Sequence, residues 1–456
     1  MAAAGADARG KIPEEGGAAA FLPLHLPDGV FVIRRTVRRV KRLRFWTVFR
    51  IRGEALPRLV AAAGTEAEGR QLAMPPLRLA VAGTRWSHPG LSAMPVHRFP
   101  VSDHCDGFRF FNARDHVSRN LADVLRWKFA GQREPWPARM NIAPVAPPSP
   151  PERGWRATWV NHATFLLQSP AGNLLTDPVW GDRCGPLGLS GPRRVHPPGV
   201  AFGALPRIDA VLLSHDHYDH CDLATLRRLW RAHRPLAITP LGNGALLRRA
   251  GFTPGRIVEL DWWQAHLLPA TGEGGGGREG IRITVTPAHH WSNRLSGGRN
   301  GRLWGGFYAE PGLSAAQGER AGREATLYFA GDTGYEEGLF QKIRERLGAP
   351  DLALLPIGAY APRWFMSVHH CDPADAVRIH RELGARQSVA MHWGTFQLTD
   401  EGREAPPQEL AAALAGAGEP AERFVTLAPG GSVDCRSGGF SANPPSGRDG
   451  NGGYFT

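Results

Sequence analysis

The chain has 456 residues, 42% apolar and 21% charged, with 56 Gly and 39 Pro; that is long enough for a large core, but one built from short elements because so many residues favour turns. No apolar run reaches the roughly 18 residues of a bilayer-spanning helix, and the first thirty residues lack a basic start followed by an apolar stretch, so the expectation is a soluble, cytoplasmic protein that is not secreted. The net charge of +12 suggests nucleic acid until its distribution is counted: residues 1–140 carry 23 Lys and Arg against 12 Asp and Glu, and the remainder 31 against 30. The five cysteines, Cys105, Cys184, Cys221, Cys371 and Cys435, are odd in number and form no C-x-x-C pair, which argues against a disulfide framework and a cysteine zinc knuckle and for a reducing compartment.

Residues 1–20 are Ala, Gly and charge without periodicity and read as a disordered start. From Arg34 to Arg52 nine basic residues and no acidic one alternate with positions such as Val37, Val40 and Leu43. This segment reads as a membrane-surface or nucleic-acid element, as a solvated basic arm, or as upstream sequence joined by a mis-assigned start. Residues 1–103 are taken together as a basic N-terminal extension. Residues 104–129 mix aromatic and polar residues irregularly, as a segment packing across a larger body would, and 141–154 is a stiff Pro-rich linker; 104–154 therefore leads into the main domain, 155–435.

Within that domain ATWVNHATFLLQS, NLLTDPVW, DAVLLSH, LAITP, IRITVTPAHH, TLYFAGD, LALLPIG and SVAMHWG read as strands, being short, aliphatic or β-branched, and bounded by turn residues. LATLRRLWRAH, GLFQKIRERLG and DPADAVRIHRELGA have i, i+3, i+4 apolar spacing and read as helices. Together they predict an α/β architecture of sheets covered by helices. Residues 436–456 are low-complexity and read as a disordered tail.

Directly after the apolar run DAVLL comes SHDHYDHCD, an H-x-H-x-D-H made by His215, His217, Asp219 and His220. A chance match in a chain of this composition is on the order of one in a thousand. The two alternate histidines can converge on one metal while Asp219 and His220 point to a second, and imidazole nitrogen with carboxylate oxygen suits zinc with open coordination positions. Further donors stand where later apolar strands stop: His289 and His290, Asp332, and His392. Singly, each is more often hydrogen-bonded structure than ligand; after an H-x-H-x-D-H that bland reading weakens. Ser214 has no recognisable triad partners and reads as structural.

H-x-H-x-D-H followed by His, Asp and His resembles the metallo-β-lactamase superfamily, which implies a four-layer αββα sandwich. The resemblance implies that His215, His217 and His290 hold one zinc, that Asp219, His220 and His392 hold the other, and that Asp332 bridges them; His290 is preferred to His289 because it directly precedes Trp291. Two zinc ions per chain would lower the pKa of a bound water to about 7 and act as Lewis acids on the substrate. WVNHATFLLQ, LLTDPVWGDRCGP, PAHHW followed by LWGGF, GAYAPRWFM, HHCDPADAVRIH and MHWGTF together resemble the N-acylphosphatidylethanolamine-hydrolysing phospholipase D family and its bacterial relatives, over residues 104–415. That resemblance implies cleavage of a phospholipid phosphodiester to an N-acylethanolamine and phosphatidic acid. It implies catalytic roles for Asp219 and His370, orienting roles for Asn161, His162 and Asp177, and an acyl groove lined by Trp364 and Phe365. Cys371 departs from the family pattern, and nothing before about residue 100 matches it. The expected partners are a phospholipid, a membrane met peripherally through the basic segment, and a second copy in a homodimer; nucleic acid is not expected. The alternatives are another hydrolase of this fold (lactonase, β-lactamase or nuclease) and a non-catalytic basic tether.

Overall fold

The computed structural model describes residues 97–112, 114, 121–271, 280–295, 297–312, 324–436 and 439–443, and the backbone of 21–26, 29–40 and 43–50. The chain divides into two compact units, Met1–Ser92 and Ala93–Thr456. In the first, β1 (Phe21–Leu26), β2 (Gly29–Val40) and β3 (Leu43–Arg50) form an antiparallel sheet in chain order. The basic segment therefore runs along β2 and β3. Residues 1–20, read as disordered from sequence, lie outside the described residues.

The second unit starts before residue 103, where the sequence had put the end of the extension. The backbone N–H groups of Arg98 and Phe99 both donate to the Gly107 carbonyl. Phe99 packs against Phe110, and Phe110 is buried in the main core. After α1 (Leu121–Ala130) the chain builds a first sheet. It consists of β4 (Trp155–Asn161), β5 (Thr164–Ser169), β6 (Gly172–Thr176), β7 (Ala210–Leu212), β8 (Leu236–Pro240) and β9 (Ile257–Leu260), with α2 (Leu223–His233) and α3 (Gly244–Arg249) between the later strands. The second sheet comprises β10 (Ala265–Leu268), β11 (Ile281–Thr286), β14 (Gly306–Pro311), β15 (Leu327–Phe329), β16 (Leu352–Pro356), β17 (Gln387–Met391) and β18 (Phe424–Val425); between β11 and β14 in the chain, β12 (Asn293–Arg294) and β13 (Gly298–Arg299) form a small separate hairpin. Helices α4 (Leu339–Leu347), α5 (Arg363–Met366), α6 (Pro373–Leu383) and α7 (Ala405–Ala417) lie between its last strands. Finally β19 (Ser432–Arg436) and β20 (Gly439–Asn443) return to the first sheet beside β4, giving it the order β20-β19-β4-β5-β6-β7-β8-β9. Residues 439–443 thus correct the expectation of a structureless tail after 435: paired with Ser432–Arg436, their backbone groups join a ladder. Residues 444–456 are outside the described residues.

Alternation of side chains across each strand makes the layers. Phe165, Leu167, Leu174, Ala210 and Leu212 face inward and share one core with Ile283, Val285, Leu327, Phe329 and Leu354 of the second sheet. Leu166, Leu175, Val211 and Leu213 face outward and pack under Leu226, Leu229, Leu246 and Leu247 of α2 and α3. On the far side Phe340 and Ile343 of α4 and Val377 and Ile379 of α6 cover the second sheet. Helix, sheet, sheet and helix therefore stack as αββα. Helix starts follow local chemistry: Asp222 accepts from Ala224 N and Thr225 N at the head of α2, and Asp372 followed by Pro373 opens α6. ATWVNHATFLLQS, read as one strand, is a hairpin turned at His162 and Ala163.

Candidate metal centre

The strands of the parallel halves, β6–β9 and β15–β18, point their C-terminal ends to one edge of the sandwich, where ligands gather in sheets of this kind. His215 follows β7, Asp332 follows β15 and His392 follows β17, while His290 comes four residues after β11. Two four-residue groups of donors form there, each with its ligand atoms within 4.8 Å of one another: His215, His217, His290 and Asp332, and His162, Asp219, His220 and His392; Asp332, His370 and His392 make an overlapping group of three, as do Asp177, His215 and His220.

In the first group His217 Nδ1 lies 3.0 Å from His215 Nε2 and 3.2 Å from His290 Nε2. The Asp332 carboxylate joins the groups: Oδ2 is 3.7 Å from His290 Nε2, 3.9 Å from His215 Nε2 and 3.2 Å from His220 Nε2, and Oδ1 is 3.2 Å from His392 Nε2. In the second group Asp219 Oδ2 is 3.4 Å from both His220 Nε2 and His392 Nε2 and 3.0 Å from His162 Nε2.

The outer nitrogens decide which way these rings present their lone pairs. His290 Nδ1 donates to the His369 carbonyl at 2.9 Å, since a carbonyl can only accept. His220 Nδ1 donates to Asp177 Oδ2 at 2.7 Å, and the Ser214 hydroxyl donates to the same oxygen at 2.6 Å. Ser214 Oγ is then left to accept from His215 Nδ1 at 2.8 Å. His215, His220 and His290 therefore all aim Nε2 at the centre. Such outer partners fix tautomer and ring direction in metal sites. Ser214, read as structural from sequence, belongs to this outer set.

Bringing lone pairs and two carboxylates together in a buried space is repulsive unless cations or protons intervene. Burial, reinforced by the neighbouring imidazoles, holds His215 and His290 well below the usual histidine range. Burial alone would raise the Asp332 and Asp219 carboxyls, but His220 beside them, with His392 at Asp332, keeps both well below the usual range. His392 is pushed up to about 9, against burial, by Asp332 and Asp219. His220 Nε2, His392 Nε2 and Asp332 Oδ1 are buried without a hydrogen-bond partner. A donor set of bare imidazole nitrogens around a shared carboxylate fits divalent cations.

His370 Nδ1 stands 4.0 Å from Asp332 Oδ2, and burial lowers its pKa to about 4. Asn161 donates through Nδ2 to the Val179 carbonyl at 3.2 Å and does not touch the donors. Asp177 holds Ser214 and His220 as described. His162 is the larger revision: instead of serving only as an orienter, it brings Nε2 into the second group, its ring centroid 4.0 Å from that of His392. Its carbonyl accepts from His392 N at 3.0 Å, and the two residues take left-handed φ values of 45° and 62°. Asp177, at φ 33°, is a third site residue in this region; such conformations survive where the surrounding structure over-determines them. Trp364 and Phe365 sit on α5, where Phe365 stacks on Trp127 of α1 at 5.1 Å and Arg126 lies 4.8 Å over Trp364. They are brought to α1. His289 turns away, to Glu336 at 2.5 Å.

Other participants had no distinctive sequence signal. Asn112 bonds both backbone groups of His290, accepting from its N–H at 3.2 Å and donating to its carbonyl at 3.0 Å. Asp216, inside the motif but pointing away from it, accepts from Arg302 Nη1 at 2.8 Å and from Asn293 N at 2.9 Å, tying the motif loop to the β12–β13 hairpin.

Comparison with known proteins is in line with this geometry. Residues 172–393 match the beta-lactamase superfamily domain. An uncharacterized protein of Mycobacterium tuberculosis is 40% identical over 283 residues, which are 61% of this chain and 68% of that protein. N-acyl-phosphatidylethanolamine-hydrolyzing phospholipase D 1 of Caenorhabditis elegans is 36% identical over 251 residues, 54% of this chain and 66% of its own length. A protein of Nitratidesulfovibrio vulgaris described as a metal-dependent hydrolase is 30% identical over 261 residues, 56% of this chain and 87% of its own.

Proposed function

The chain belongs to the metallo-β-lactamase superfamily, and from that premise we propose that it is a binuclear zinc phosphodiesterase that cleaves N-acylphosphatidylethanolamine as a phospholipase D. The observation that carries the reading is the pair of donor groups joined through Asp332, within 3.2 to 3.9 Å of histidines from both. His215, His217 and His290 would hold one cation, Asp219, His220 and His392 the other, and Asp332 both. Bound cations would supply water activation near neutral pH and charge neutralisation of a phosphoryl group.

The chain's own residues supply the rest. Asp177, Ser214 and the His369 carbonyl keep three Nε2 atoms aimed at the centre, so the site does not have to reorganise when a charged substrate arrives. His162 restrains the Asp219 carboxylate. His370, half-buried, with its buried Nδ1 4.0 Å from Asp332 Oδ2, is available to hydrogen-bond a phosphoryl or leaving-group oxygen. The nematode relative's activity supports the choice of substrate. Among the described residues no helix is long and apolar enough to cross a membrane, so the lipid would be met from the bilayer surface.

The test is elemental analysis beside hydrolysis of N-acylphosphatidylethanolamine in mixed micelles, before and after chelation. About two zinc per chain with chelator-sensitive release of N-acylethanolamine is expected. Two zinc without release would return the substrate to the lactones and other phosphodiesters, and protein that resists metal loading would overturn the reading.

A further inference from the structure

Five of the ten exposed large apolar residues among the described residues, Leu125, Phe129, Leu187, Leu189 and Trp364, are carried by three neighbouring segments. Two of these are α1 and α5. Trp127 anchors α1, donating Nε1 to Asp400 at 2.7 Å and stacking on Phe365 of α5. Leu125 and Phe129, four apart and so on one helix face, are left in solvent, with Phe129 87% exposed. The third segment is the loop 182–193. It is closed at its base by Cys184 N to the Pro192 carbonyl and by Arg194 N to the Asp182 carbonyl, and it holds Leu187 and Leu189 at its tip, 91% and 78% exposed.

The groove where α1 meets this loop encloses about 610 Å³. Lys128, Arg133 and Arg193 line it together with Trp136 and Leu398; Arg193 Nη2 lies 3.4 Å from the exposed Asp182 carboxylate at the base of the loop, and no carboxylate is among the lining residues. Exposed apolar side chains carried by the two segments that flank a cationic groove mark an interaction surface where they lie together. They match an anionic lipid surface, into which the tips would insert while the cations meet phosphates.

We infer that α1 and the 182–193 loop form a docking surface for an anionic phospholipid bilayer. The surface is built from residues other than those of the basic β2–β3 segment, and it adjoins α5, the helix four residues ahead of His370. Docking does not depend on which bond the metal centre cleaves, and it can be read without turnover.

The full-length chain is floated with vesicles of phosphatidylcholine, with and without phosphatidylglycerol. The wild type should float with the anionic vesicles and far less with the neutral ones. Lys128→Ala with Arg193→Ala should lower the partition about 25-fold, at roughly fivefold per cation. Phe129→Ser with Leu187→Ser and Leu189→Ser should lower it at least about tenfold. All five positions are exposed, and unchanged metal content and circular dichroism would show that the variants fold. Partition of both variants within about twofold of wild type, equal flotation with neutral vesicles, or a change in the lipid-free oligomeric state in place of a change in flotation would overturn the inference.

Discussion

Replacing Asp177 by Asn should weaken metal binding through a change of tautomer. Asp177 is fully buried and its carboxylate accepts three hydrogen bonds, from Ser214 N at 2.7 Å, Ser214 Oγ at 2.6 Å and His220 Nδ1 at 2.7 Å. An asparagine keeps one acceptor. If that oxygen stays with Ser214 N, the amide NH₂ faces the Ser214 hydroxyl and His220 Nδ1. His220 must then move its proton to Nε2, the atom 3.2 Å from Asp332, and so lose the lone pair a cation needs. Loss of such an orienting group costs about 10- to 100-fold in metal affinity. The disrupted buried hydrogen bonds cost about 2–4 kcal/mol of stability in the metal-free protein. Competition with a chromophoric chelator measures the first and urea unfolding in excess chelator the second. Metal affinity within about threefold of wild type, alongside the loss of stability, would refute the orienting role.

Asp332→Asn and His217→Ala should each abolish hydrolysis while circular dichroism stays native, and Asp332→Asn should lower the bound metal below the wild-type stoichiometry; full activity of metal-free Asp332→Asn protein would rule out a two-metal mechanism. Deleting residues 1–92, the first compact unit, should spare turnover of a short soluble phosphodiester, because every donor lies in the second; loss of turnover would show that the first unit helps to build the site. His104 bonds Asp261 at 2.7 Å through Nε2 and Asp103 at 2.6 Å through Nδ1. Burial opposes its charge, but the two carboxylates outweigh burial and raise its pKa above the ordinary value. Its contribution is therefore complete below the unfolded pKa of about 6.5 and lost as pH rises through the folded value. Urea midpoints should fall across that window in the wild type and less so in His104→Gln.

Much of the site was legible because metal chemistry restricts residue type and spacing. His215, His217, Asp219 and His220 sit in one short run, and His290, Asp332 and His392 each follow an apolar strand that ends at the same edge. The helices α2, α4 and α6 were readable because their apolar residues recur with the helical period, and Asp222 and Asp372 cap the starts of α2 and α6. Helix α7 was not anticipated: APPQELAAALAGA is rich in Ala and carries only a weak amphipathic stripe, although Leu410 and Leu414 are buried.

What the sequence determined by itself was the run His215, His217, Asp219 and His220 and the layered class, since both depend on local pattern: residue identity at short spacing, and apolar alternation in short runs. What only the tertiary structure decided was how those donors are held. Asn112 reaches His290 across 178 positions, Asp177 reaches His220 across 43, and His162 joins His392 through a turn with positive φ. Each is an ordinary polar residue in its own neighbourhood. Its role exists only because the packing of two sheets brings distant backbone and side-chain groups into a space from which water is excluded, where every polar atom needs a partner.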